Sequence, residues 1–274
     1  MRRFLFSILP TITVLGLVWA SGGYLSKSAN QTVNMPNDFE EVIFNGTHGS
    51  FLTSENKSVC ALLMHGVRSN RASMIGRSIF LKEMGVSSLL IDLQAHGETP
   101  GEEITFGIRE SVDAANGLQY LKSVKHCGKV VAIGQSLGGA SALLGKGPIL
   151  VDALVLESVY PTIEEAVQDR LEMRLGRIGA LAAPLLYWQI PVRIDAGLTD
   201  LRPIDALRKV HVPVFIISGS KDEHTKAAET ERMFEAANER KQLWLVEGAV
   251  HQDLYSFNPS EYKAKIAHFI KQSL

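Results

Sequence analysis

The sequence predicts an α/β protein whose mostly parallel sheet is covered by helices on both faces. Three observations predict it. From Asn37 onward, short β-rich runs alternate with stretches of helical periodicity. Several of the runs are apolar throughout rather than at every second residue, as in strands buried on both faces. The length of 274 residues suits a single domain of this class.

Taken in order, Glu41–Asn45 and Ser50–Thr53 flank Gly46-Thr47-His48-Gly49 and read as an opening antiparallel hairpin. Val59–Met64 is a buried strand that ends at His65-Gly66, with a loop and a helix after it. Val86–Asp92 is a second buried strand, closing in the turn-rich Leu93–Glu98 and leading past Pro100-Gly101 into a helix over Ile108–Leu121. Lys129–Ile133 is the next strand, Leu137–Lys146 a small-residue helix packed close to the sheet, and Ala153–Leu156 the strand after it. Val214–Ser218 and Gln242–Val246 complete the strands, and helices over Thr225–Asn238 and Ser260–Gln272 carry apolar residues at three- and four-residue spacing. Between Tyr160 and Val210 the alternation stops for some fifty residues, too apolar for a flexible linker, and this reads as an inserted helical cap over about 160–210.

The N-terminus follows a different rule. Arg2 and Arg3 precede residues 4–20, which carry no charged side chain and leave a buried helix no solvent face. Val18 and Ala20 place small residues where a signal peptidase reads, so residues 1–23 suit a signal peptide; the same run is near the length of an uncleaved membrane anchor. Either way the folded part is expected outside the cytoplasm, membrane-anchored, periplasmic or secreted, with any membrane association running through residues 4–20. Residues 24–38 read as a linker and 39–274 as the domain. Lys and Arg total 28 against 29 Asp and Glu, so no global field exists to gather nucleic acid, which is excluded as a partner. Cys60 and Cys127 read as two buried thiols, with a bridge as the alternative once the domain is exported.

The chemistry centres on Gly134-Gln135-Ser136-Leu137-Gly138. A serine hydroxyl needs exposure, a base, something to orient that base, and donors for the oxyanion that forms. Ser136 stands where a buried strand stops and a close-packed helix begins, the context a nucleophile elbow requires. The backbone N–H groups of Leu137 and Val67 are the oxyanion donors by position, aided by the positive end of the helix that starts at Leu137. His251 follows the last strand and is the base, with His224 as the rival. Asp222 follows Val214–Ser218 and is the orienting acid; Glu223 and Glu157 are the alternatives, and Asp253 reads as a local cap or partner.

His65-Gly66, Asp92 with His96-Gly97, Gly134-x-Ser136-x-Gly138, Gly219-x-x-Asp222 and Gly248-x-x-His251 together resemble the α/β-hydrolase superfamily, in the flavour of its Bem46-like and serine aminopeptidase-like serine hydrolases. The resemblance spans about Phe39–Leu274. It implies the α/β-hydrolase fold with an eight-stranded sheet, a triad of Ser136, Asp222 and His251, and no metal or organic cofactor. It also makes the strands that begin near Cys60 and Cys127 neighbours, which would bring the two thiols within reach. One departure is Arg68-Ser69-Asn70-Arg71, where relatives often carry small residues, so the acyl pocket is expected to differ in shape.

The function expected is hydrolysis of a carboxylic ester or thioester, with a small-molecule ester or acyl substrate as the partner. A peptidase is the second reading and requires an acid to hold the substrate's amino terminus, for which Glu164 and Glu165 are available. A non-catalytic binding or scaffold protein is the third.

Overall fold

A computed structural model describes residue 13, residues 16–55 and residues 58–274. The expected signal or anchor over residues 4–20 therefore lies largely outside the described residues; residues 16–26 are helical. Among the described residues no helix is long and apolar enough to cross a membrane.

Eight strands form one sheet: β1 (Glu40–Phe44), β2 (Thr47–Leu52), β3 (Val59–Met64), β4 (Ser87–Ile91), β5 (Lys129–Gln135), β6 (Ala153–Glu157), β7 (Val214–Gly219) and β8 (Lys241–Val246). Their spatial order is β8-β7-β6-β5-β3-β4-β2-β1. Only the pairs β1–β2 and β2–β4 are antiparallel. The opening turn sits one step earlier than the sequence suggests. Asn45 and Gly46 both take positive φ, at 50° and 83°, while Thr47 pairs with Phe44 and Gly49 with Val42. Asn-Gly supplies a two-residue turn whose twist matches the hairpin, so the expected turn residues Thr47, His48 and Gly49 become strand.

Side chains of the central strands alternate between two cores, Leu62, Met64, Val130 and Ala132 on one face, Ala61, Leu63, Val131 and Ile133 on the other. The first face is covered by α2 (Glu110–Ser123) and α3 (Leu137–Leu143), the second by α1 (Ile75–Glu83), as a double-sided burial of apolar strands demands. Helix α3 is shorter than the periodicity suggests because Leu144 leaves it in an extended conformation and Gly145 has φ 71°. Between β6 and β7 the chain runs through α4 (Ile163–Ala182), α5 (Pro184–Tyr187), α6 (Ile190–Ile194) and α7 (Pro203–Leu207). Helix α8 (Ala227–Ala236) joins the first face, and after β8 the short α9 (Leu254–Phe257) leads into α10 (Pro259–Ser273) on the second.

Two segments depart from expectation. Residues 24–38 are tied down rather than free: Ala29 and Asn30 pair in parallel with His96 and Gly97, and Arg68 donates to the Tyr24 and Leu25 carbonyls at 2.7 and 3.2 Å. Cys60 and Cys127 form a disulfide instead of two free thiols, their Cα atoms 5.9 Å apart. Strands β3 and β5 are parallel neighbours with Cys60 opposite Val130, so Cys127, just before β5, falls beside it.

Candidate active site

The chain from β5 turns sharply into α3 at Ser136, which has φ 49° and ψ −108°. A non-glycine residue is held there at a cost of about 1–3 kcal/mol, and surrounding contacts enforce it. Two glycines make those contacts possible. A Cβ on Gly134 would stand 2.5 Å from the Gly139 nitrogen, and one on Gly138 would stand 2.4 Å from the Met64 carbonyl oxygen. The elbow therefore packs backbone against backbone, both with α3 and with the end of β3. The Ser136 N–H donates to the Glu157 carbonyl at 2.7 Å, which fixes the turn to β6.

Asp222 follows β7, and His251 follows β8. The His251 Nδ1 lies 2.8 Å from Asp222 Oδ2. A carboxylate only accepts, so Nδ1 carries the proton and Nε2 is left as an acceptor. The other carboxylate oxygen accepts the N–H groups of His224 and Thr225, both at 2.9 Å. Burial alone would raise the Asp222 pKa, but the hydrogen bond and charge of His251, with those two amides, hold it below the ordinary carboxylate value. Ser136 and His251 face one cavity of about 290 Å³ without a direct hydrogen bond between them. Such bonds are often long before substrate arrives.

Val67 and Leu137 line the same cavity, and neither backbone N–H has an acceptor among the described residues. The loop carrying Val67 is braced by His65, fully buried, whose Nε2 accepts from the Leu93 N–H at 3.2 Å while its Nδ1 meets the Gly66 carbonyl at 2.7 Å. Burial, with the neighbouring His96, pushes the His65 pKa down to about 3, so the ring stays neutral and serves as a brace.

The rivals are occupied elsewhere. Glu157 is buried against Arg77, 2.6 Å from its Nη2, and accepts the Tyr262 hydroxyl. Glu223 is exposed. Asp253 caps α9 through the Tyr255 N–H at 3.1 Å and pairs with Arg77 at 2.7 Å. His224 lies with its ring centroid 4.8 Å from that of His251 and lines the cavity, but its carboxylate neighbour bonds its backbone. Asp222, His224 and His251 hold ligand-type atoms within 4.8 Å of one another, so this cluster could close on a metal ion only by drawing Asp222 away from His251.

The unusual Arg68–Arg71 stretch divides. Arg71 is buried and turned away from the cavity, donating to Ser50 Oγ at 2.7 Å and pairing with Asp92, Glu41 and Glu98. Arg68 lines the cavity. The remaining wall is largely apolar, from Leu25, Phe106, Ile163, Val167, Leu171 and Leu186, with Arg170 and Arg174 of α4 beside them. Leu25 meets the site from more than a hundred residues away in the chain and leaves no local pattern, and within the expected cap nothing local says which α4 residues face Ser136. The four-residue spacing of the two arginines was the one visible signal.

A sheet in this order with a strained serine at the end of its fifth strand defines a hydrolase built on the α/β plan. The chain belongs to the alpha/beta hydrolase family, which residues 61–264 match. The uncharacterized protein YqkD of Bacillus subtilis is similar, 22% identical over 213 residues that cover 76% of this chain and 70% of that one. The uncharacterized protein Rv2307c of Mycobacterium tuberculosis is 29% identical over 205 residues, 73% of this chain and 66% of that one. Protein bem46 of Schizosaccharomyces pombe is 25% identical over 150 residues, covering 53% and 44%. Among solved structures, the Pyrococcus furiosus esterase Pf2001 shares the fold with a TM-score of 0.72 at 19% identity, covering 90% of this chain and 99% of that one.

Proposed function

We propose that this hydrolase is a serine esterase, cleaving carboxylic esters or thioesters through an acyl-enzyme on Ser136. The observation that carries it is the 2.8 Å bond from His251 to Asp222 on the wall of the cavity that holds the strained Ser136. Ser136 Oγ attacks the carbonyl carbon while its proton passes to His251 Nε2, and Asp222 stabilises the imidazolium. The N–H groups of Val67 and Leu137 take the oxyanion. Collapse breaks the bond to the leaving oxygen or sulfur, which takes the proton from His251. Water then gives its proton to His251 and attacks the acyl carbon, and Ser136 leaves with that proton.

The peptidase reading loses its acid. Glu164 pairs with Arg202 and Glu165 with Arg232, and neither lines the cavity. Among the described residues that line the cavity there is no carboxylate to hold a substrate's amino terminus. The disulfide suits an oxidising compartment, in keeping with an exported domain.

A fluorophosphonate probe should label the native chain and leave Ser136→Ala unlabelled, with turnover of 4-nitrophenyl butyrate falling at least about 10³-fold. Labelling that persists in Ser136→Ala, or none in either, rejects the proposal. A panel of matched ester, thioester and aminopeptide substrates then separates esterase from peptidase.

A further inference from the structure

We infer that the substrate of this site carries an anionic group, a carboxylate or a phosphate, received by Arg170 and Arg174. The inference rests on the esterase reading above and names the chemistry of its substrate.

The charges of α4 differ in their partners. Its acids are paired with cations outside the cavity: Glu164 with Arg202, Glu165 with Arg232, and Asp169 and Glu172 both with Lys226 at 2.8 Å. Its arginines at 170 and 174 line the Ser136 cavity, and neither makes an ion pair with a carboxylate of the described residues. Like charges four residues apart on a helix repel. Arg170 is also half-buried, donating to the Ala166 carbonyl at 2.7 Å. Burial pulls its pKa down, and the acids in its field, Asp169 and Asp222, are committed to Lys226 and His251. An arginine stays charged regardless. Arg68 adds a third cation to the wall, and among the described residues no Asp or Glu lines it. A self-repelling pair, one half-buried and one exposed at the rim, beside a largely apolar wall suits a ligand with an acyl body and an anionic end.

The test compares pairs that differ in charge: 4-nitrophenyl butyrate against mono-4-nitrophenyl glutarate, and a monoacylglycerol against its 3-phosphate. The native chain should prefer at least one anionic member by roughly ten- to hundred-fold in kcat/KM at low salt. The pair that shows the preference tells carboxylate from phosphate. Arg170→Gln with Arg174→Gln should bring the ratio near unity, and Arg170→Lys with Arg174→Lys should restore most of it, separating charge from packing. Equal turnover of neutral and anionic esters by a chain that labels at Ser136 overturns the inference and leaves the esterase standing. Absent labelling overturns the esterase itself.

A second surface carries its own inference. Ile178, Leu181, Leu185, Trp188 and Val192 recur at steps of three and four through α4, α5 and α6 and are 44–83% exposed. The joints at Ala183, Trp188 and Gln189 keep right-handed helical angles, so the stripe stays on one side. A helix normally buries such a stripe. Trp19, at the end of the uncharged residues 4–20, meets Trp188 with ring centroids 6.5 Å apart, and the Arg193 guanidinium lies 3.9 Å from the Trp19 ring. The geometry points to a lipid bilayer as the occupant, because the stripe meets Trp19 through tryptophan and arginine, the residues of membrane interfaces, and Trp19 stands near the end of a sequence run that has no charged side chain.

With the native cysteines bridged, single cysteines at Leu181, Val192 and, on the far edge, Glu83 take an environment-sensitive NBD label in the full chain. On reconstitution into phosphatidylcholine and phosphatidylglycerol vesicles, Leu181→Cys and Val192→Cys should blue-shift and brighten while Glu83→Cys stays unchanged. Unchanged signals at 181 and 192 overturn the inference. So does a change that follows protein density rather than lipid, which makes a second copy of the chain the occupant.

Discussion

At the scale of single residues, the site depends on one hydrogen bond having the right direction. Asp222 accepts from His251 Nδ1 and so leaves Nε2 as an acceptor, which in the proposed mechanism takes the Ser136 proton. Its depressed pKa keeps the carboxylate ionised through neutral pH. The stability this bond contributes is present above the ordinary carboxylate range and is lost as pH falls through the lowered value. Asp222→Asn keeps the shape but offers an amide that can turn its donor toward His251 and hold the wrong tautomer. Its kcat on 4-nitrophenyl butyrate should fall by roughly 10³–10⁴-fold, with the melting temperature at pH 7 much less affected. An Asp222→Asn chain of native turnover would remove Asp222 from the triad and reopen the search for an acid.

At the scale of elements, the sheet is stapled where the elbow strand begins. The bridge from Cys60 on β3 to Cys127 before β5 closes a loop 67 residues long. Restricting so long a loop in the unfolded chain stabilises the fold by about 2–4 kcal/mol. Cys60→Ala with Cys127→Ala should lower the free energy of unfolding in urea by that amount while leaving the Ser136 geometry in place, since the bridge stands at the opposite end of β5. A double variant as stable as the native chain would mean the bridge adds nothing to the strand pairing. The strands themselves were legible: continuous apolar runs specified β3 to β7 within two residues, while which of them pair came only with the family resemblance. The first turn was not, because Thr47, His48 and Gly49 look like turn residues until Asn45-Gly46 is seen to supply both positive φ angles.

At the scale of the whole molecule, the helices between β6 and β7 are coupled to the sheet layer by charge. Glu229 on α8 is buried beside Asp169 and Glu165 of α4, and burial first, then those carboxylates, pushes its pKa up to about 8. A carboxyl raised in the folded state is protonated there when it is already ionised in the unfolded chain. Its stabilisation is complete below the unfolded value and is lost as pH rises toward 8. The native chain should therefore lose melting temperature between pH 5 and 8.5, and Glu229→Gln should flatten that loss by about 2–4 °C. Parallel pH profiles for the two chains would exclude Glu229 as the coupling group.

The sequence by itself determined the α/β class, the strand order along the chain, and the positions of Ser136, Asp222 and His251, because each is written in a local pattern: an apolar run, a glycine that permits close backbone contact, a polar residue just past a strand. Only the tertiary structure decided that Arg71 turns inward to Asp92 while Arg68 lines the cavity, that residues 24–38 are tied to His96-Gly97 and bring Leu25 into the cavity wall, that Cys60 meets Cys127, and that Arg170 and Arg174 of α4 line the cavity while its acids pair elsewhere. Those outcomes depend on which distant groups compete for each charge or thiol once the chain is packed, and residues so far apart in sequence leave no local pattern from which the winner can be read.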